Sequence, residues 1–219
     1  MTRIYVHPLP VRLWHWVNAL GFIALLVTGF GLRYGVLMGM AFATVVDLHN
    51  AIGFALIANY FVWLVFYLTS DRITVYHPEL SPSTHFRNVV RQLAYYGHGI
   101  FKGHANPHEV SVYRKFNALQ SMTYQIVMML LVPVQFYTGL VLWDLQRFAG
   151  TVEFLGGARV VSSIHVALSI AFVVFIPVHV YLTTLGRTAG EHIRAMLTGY
   201  EEVHEATIPG RAGAQTSSR

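Results

Sequence analysis

The sequence has 219 residues, of which 54% are hydrophobic and only 11% charged, with a formal net charge of +5. Soluble domains carry about 25% charged residues, so a water-coated globular surface is excluded over much of the chain. The complete lack of cysteine excludes disulfides, cysteine-bound iron–sulfur clusters, cysteine zinc sites and covalent C-x-x-C-H haem attachment.

The opening MTRIYVHPLPVR is short and broken by prolines, and it delivers the chain to a first predicted helix over about 11–31. Between Arg12 and Arg33 lie 20 residues without Asp, Glu, Lys or Arg. A bilayer core of about 30 Å takes about 20 apolar helical residues, so this is a membrane span. It is too long for the h-region of a secretory signal, and no small-residue cleavage motif follows it.

A short loop leads to a second span over about 47–69, within 23 charge-free residues between Asp47 and Asp71. The loop 70–115 is the longest extramembrane segment expected. Within it Ser83–Phe101 is amphipathic: Phe86, Val89, Val90, Leu93 and Ala94 recur at helical spacing opposite Arg87 and Arg91. Such a segment lies in a membrane interface or against a partner. His104 and His108 have the i, i+4 spacing of a helical zinc site, but Pro107 intervenes and no third ligand is evident, which favours solvated side chains.

The third span is expected over 116–143 and the fourth over 161–185, within 28 and 27 charge-free residues respectively. The fold class is therefore all-α: an integral membrane four-helix bundle over 1–204, followed by a small, polar, disordered tail at 205–219. The segments V-T-G-F-G-L in span one and Y-T-G-L-V-L in span three echo one another, as small-residue packing sites on two helices that run the same way.

Charge sets the orientation. With the N-terminus in the cytoplasm, twelve Lys and Arg fall inside and only Arg33, Arg147 and Arg159 outside. This positive-inside bias places both termini in the cytoplasm. The basic balance is topogenic, and nucleic acid is not needed to explain it.

Of twelve histidines, His15, His49, His165 and His179 lie within the spans. Ionisable groups at membrane depth are costly and usually functional. One buried histidine can simply join two helices by a hydrogen bond, but four on three helices need a common cause. His165 and His179 are 14 residues apart, about 21 Å of rise with a net rotation of only about −40°. Both rings thus leave one face of the fourth helix, one toward each membrane surface. Depth then pairs His49 with His165 on the periplasmic side and His15 with His179 on the cytoplasmic side. Neutral imidazole is an axial ligand for haem iron, so each pair can clamp one haem b, with Gly21, Gly53 and Gly139 leaving room for the flat ring. A proton-relay transporter is the rival reading, but its relay would need Asp or Glu, and the spans contain neither.

These residues carry a resemblance. The runs V-R-L-W-H-W-V-N-A-L around His15, D-L-H-N-A-I-G around His49, S-S-I-H-V-A-L to P-V-H-V-Y around His165 and His179, and M-L-T-G-Y beyond them are similar to the di-haem cytochrome b subunits of Ni/Fe-hydrogenases, formate dehydrogenases and thiosulfate reductases. The likeness covers about Val11 to Tyr200. Departures are the G-H-A-N-P-H run, which stands well before the third helix, and Val166–Ala167 after His165. The K-F-N-A-L-Q entrance looks more like the formate dehydrogenase and thiosulfate reductase versions.

The resemblance implies a multi-pass subunit of the bacterial inner membrane. It would anchor iron–sulfur and catalytic subunits on the periplasmic side and connect them through two b haems with the quinone pool. A stand-alone quinone-linked cytochrome b acting on a small periplasmic donor is the alternative, and a non-redox transporter or scaffold the second. Asn117 and Gln120 share a face at the cytoplasmic entrance of the third helix, at the depth of the His15/His179 haem, and their amides suit a quinone carbonyl. The resemblance places a quinone-site Asn at Asn117, whereas Gln120 rests on geometry alone. The competing role for Asn117 is to cap the helix.

Overall fold

The computed structural model describes residues 2–37, 39–69, 81–108, 117–185 and 188–203. Residues 70–80, which include His77, residues 109–116 and the tail 204–219 lie outside the described residues. The described elements are β1 (Thr2–Tyr5), α1 (Leu9–Tyr34), α2 (Phe42–Thr69), α3 (Pro82–Ala94), α4 (Ala118–Trp143), α5 (Ala149–Phe154), α6 (Ala158–Thr183), α7 (Glu191–Thr198) and β2 (Tyr200–Val203). Four of them, α1, α2, α4 and α6, are long and apolar enough to cross a membrane. The chain is an all-α membrane helical protein with one short two-stranded ribbon.

Three of the long helices, α1, α2 and α6, begin earlier than charge clearance alone suggests. α1 starts at Leu9 because Pro10 is tolerated in a first turn, where its missing N–H would have no partner anyway. α2 starts at Phe42, so His49 sits about two turns inside the helix rather than at its mouth. α4 is regular except at Val127–Leu131, a π-helical segment just before Pro133. Proline removes one ladder hydrogen bond, and a local widening of the helix accommodates the loss. Pro177 stands inside α6, two residues before His179.

Contacts divide the chain into two compact units. One comprises Met1–Val6, Tyr67–Leu130 and Tyr200–Arg219. Here β1 and β2 pair antiparallel with Tyr5 opposite Tyr200, whose rings stand 5.1 Å apart. In the same unit α3 packs on the start of α4, burying Val89 and Gln92. Phe86, Val90 and Leu93 are turned outward instead, so the apolar pattern of α3 serves two faces.

The other unit comprises His7–Phe66 and Leu131–Gly199 and contains α1, α6, α7 and most of α2. Its long helices meet through Gly21, where an added β-carbon would stand 2.6 Å from the Leu56 side chain, and through aromatic pairs such as Phe22–Phe172 at 5.1 Å and Phe54–Trp143 at 5.0 Å. Apolar side chains such as Leu20, Val62 and Val174 point outward, as a hydrocarbon-facing surface requires.

Candidate functional site: two histidine pairs

All four intramembrane histidines lie in the second unit, and they come together in two pairs. The His49 and His165 ring centres are 6.4 Å apart, and those of His15 and His179 are 6.2 Å apart. His15, His49 and His165 are half-buried, and His179 is the more exposed member of its pair. An imidazole nitrogen binds a metal at about 2.0–2.1 Å and lies roughly 1.1 Å from its ring centre, so two rings flanking one metal stand about 6 Å apart. Both pairs have that spacing.

Two imidazoles are too few to hold a bare transition-metal ion, which takes four to six ligands. Among the described residues no group of three or more His, Cys, Asp or Glu assembles. The donor set therefore fits a metal that brings its own equatorial ligands, and a porphyrin iron is such a metal. A cavity of about 450 Å³ opens between His49 and His165, bordered by Phe22, Gly29, Gly53, Gln135 and Gly139, with Arg33 also in its lining. Gly29 and Gly139 form a cradle. A β-carbon on Gly29 would stand 3.2 Å from His49 Cε1, and one on Gly139 would stand 3.3 Å from His165 Cε1. Of the three glycines expected beside the ring, Gly53 and Gly139 border this cavity, but Gly21 is spent on the α1–α2 contact, and Gly29 takes the place assigned to it.

Each cradle glycine follows a threonine. Thr28 Oγ1 lies 2.8 Å from His49 Nδ1, and Thr138 Oγ1 lies 3.0 Å from His165 Nδ1. The echoed V-T-G and Y-T-G segments therefore meet equivalent histidines on α2 and α6. The repeat was visible in the sequence, but its target was not.

The His15 pair is held differently. Arg12 donates from its guanidinium to the Leu197 carbonyl, and Trp16 Nε1 donates to the Met196 carbonyl over 3.3 Å. The V-R-L-W-H-W and M-L-T-G-Y segments thus meet in space, and His15 sits between the two anchoring side chains. A cation at the C-terminal end of α7 also complements that helix's dipole. Trp14 packs on Trp63 with ring centres 5.8 Å apart, and Phe175 stacks on His179 at 5.5 Å.

Asn117 and Gln120 belong to the first unit. Asn117 Oδ1 accepts from the Gln120 N–H at 2.8 Å and Gln120 Oε1 accepts from the Asn117 N–H at 3.1 Å, a reciprocal capping box at the start of α4. Asn117 Nδ2 also donates to the Tyr96 hydroxyl at 3.1 Å. Burial pushes the Tyr96 phenol above its ordinary range, against the opposing pull of its hydrogen bonds to Asn117 and Gln92. Gln92 in turn donates to Asn106, the asparagine of the G-H-A-N-P-H run, at 3.3 Å. Asn117 is buried and Gln120 exposed.

Comparison with known proteins adds a family to this geometry. The family model for prokaryotic cytochrome b561 matches residues 6–199. The chain belongs to the prokaryotic cytochrome b561 family. It is 32% identical to cytochrome YdhU of Escherichia coli over 198 residues, 90% of this chain and 74% of that protein. Shorter stretches match proteins named as B-type cytochrome subunits of Ni/Fe-hydrogenase. One, from Cupriavidus necator, is 69% identical over 26 residues, and another, from Rhodobacter capsulatus, is 59% identical over 29, each covering 11% of the relative. The b-type cytochrome resemblance read from the histidine motifs is thus borne out at the level of the family. This is a multi-pass membrane electron-transfer protein of the b561 type, and the family's cofactor is b-type haem.

Proposed function

We propose that this cytochrome is the membrane-anchoring electron-transfer subunit of a multi-subunit respiratory oxidoreductase, linking a periplasmic iron–sulfur partner with the quinone pool by way of two b haems. The observation that carries the reading is the ring separation in the two pairs, 6.4 Å for His49/His165 and 6.2 Å for His15/His179. Each pair would hold one haem between its two imidazoles, and the group would supply single-electron exchange. The local matches to hydrogenase cytochrome subunits support a catalytic partner.

The chain's own residues do the positioning. Gly29, Gly53 and Gly139 border the space for a flat ring, Phe22 and Phe172 help to line it with apolar surface, and Arg33, also in the lining, would supply a cation for an acidic group of the bound cofactor. The positive-inside bias supports the bacterial inner membrane with both termini cytoplasmic. We place quinone at the Asn117, Gln120 and Tyr96 cluster, supported by its buried, hydrogen-bonded amide and its protonated phenol. In this reading the Asn117 amide exchanges Tyr96 for a quinone carbonyl.

Purification in mild detergent from the native host tests the partner. An iron–sulfur subunit that co-purifies stoichiometrically and reduces quinone only with this cytochrome present is the expected result. A cytochrome that purifies alone and passes electrons from a small soluble donor to quinone would overturn the anchoring role.

A further inference from the structure

The two threonine–histidine contacts fix more than position. Thr28 Oγ1 stands 2.9 Å from the Ala24 carbonyl and 3.3 Å from that of Leu25, and Thr138 Oγ1 stands 2.9 Å from the Val134 carbonyl and 3.0 Å from that of Gln135. A carbonyl oxygen can only accept, so each hydroxyl's single proton is committed to its own helix backbone. The histidine nitrogen at 2.8 or 3.0 Å must then be the donor, which puts the ring proton of His49 and of His165 on Nδ1. A neutral imidazole has only one N–H, so Nε2 carries no proton in either ring and can only accept.

A second contact agrees for His165. Gln135 Nε2, itself a donor, lies 3.2 Å from His165 Nε2, while Gln135 Oε1 is buried without a partner among the described residues. Both threonines are buried, so water does not compete for the hydroxyl. The His15 pair is built on another plan: His15 Nδ1 is buried with no hydrogen-bond partner among the described residues.

We propose that Thr28 and Thr138 are positioning residues that hold His49 and His165 in the Nδ1–H tautomer, presenting Nε2 of each to the iron, and that they thereby lower the reduction potential of that haem. The inference rests on the haem reading above. An acceptor on the far nitrogen makes an imidazole a more basic ligand, and a more basic ligand favours the oxidised metal. Two such acceptors act on the His49/His165 iron, one on each side.

The test uses Thr28→Val, Thr138→Val and the double variant in the full haem-loaded chain, with Thr→Ser at each position as the conservative control. Redox titration of the haem absorption bands is the readout. An upward shift for one haem, largest in the double valine variant, unmoved for the other haem and restored by serine, is expected. Loss of that one haem in valine but not serine variants also supports the role. Unchanged potentials with both haems bound, or equal loss in valine and serine variants, would overturn it. Nitrogen-15 NMR of histidine-labelled, haem-free protein separates this proposal from the haem reading itself. Wild-type protein is expected to show Nδ1–H at His49 and His165, with mixed tautomers in the valine variants. Nε2–H in the wild type sinks the proposal even if two haems bind. A chain that takes up no haem sinks the haem reading, while the tautomer result still stands or falls alone.

Discussion

Gly29 faces the His49 ring so closely that a β-carbon there would stand 3.2 Å from Cε1, and Gly139 faces His165 in the same way at 3.3 Å. Contacts at this range require the neighbour to yield by a few tenths of an ångström, and a branched side chain asks for more. Gly29→Val or Gly139→Val should therefore displace one imidazole and release one haem, leaving the His15/His179 haem in place. Haem content and the difference spectrum of each purified variant check this. Retention of both haems with unchanged spectra would mean that the cradle is not tight.

Arg12 and Trp16 tie the stretch around His15 to the last carbonyls of α7. The Trp16 bond joins neutral groups and contributes about 0.5–1.5 kcal/mol, and the exposed position of the charged Arg12 contact keeps its contribution similarly modest. Trp16→Phe should lower the thermal midpoint modestly, and Arg12→Ala combined with it should loosen the His15/His179 haem before the other. Thermal release followed at the two haem bands would show the order, and earlier loss of the His49/His165 haem would contradict it.

Asn117 offers a way to separate capping from quinone chemistry. Aspartate caps a helix as well as asparagine does, whereas leucine loses about 1 kcal/mol of cap stabilisation. Asn117→Asp keeps the cap and removes the amide donor to Tyr96. If quinone binds here, both Asn117→Asp and Asn117→Leu slow quinone reduction by the partner complex while both haems remain. Full activity in the aspartate variant would leave Asn117 as a cap only.

The outward Phe86, Val90 and Leu93 of α3 suit the boundary between headgroups and acyl chains, which the proposed topology puts on the cytoplasmic side. A cysteine introduced as Arg87→Cys should react with an impermeant thiol reagent from the cytoplasmic side. Labelling only from the periplasm would invert the topology.

The spans were legible because charge clearance over 20 or more residues leaves a helix no other solvent. The proximity of His165 to His49 and of His179 to His15 followed from a 14-residue interval that returns to one helix face, and Pro177 did not disturb it. What escaped was contact between helices. Thr28 and His49 are 21 residues apart and Thr138 and His165 are 27 apart, on different helices, so no local period joins them. Gly21 and Gly29 read alike in sequence, yet one meets Leu56 and the other His49. The β1–β2 ribbon pairs segments from opposite ends of the described chain, and each strand is only four residues long. Asn117 was readable both as a cap and as a ligand, and the geometry displays the cap.

Haem stoichiometry in single-histidine variants tests the central claim most directly. The wild type is expected to bind two b haems per chain, both extractable by acid acetone because nothing is covalent. His49→Ala and His165→Ala should each remove the same one haem, His15→Ala and His179→Ala the other, and His77→Ala neither. One haem or none in the wild type, or loss of the same haem in His15→Ala and His49→Ala, would contradict the two-pair account.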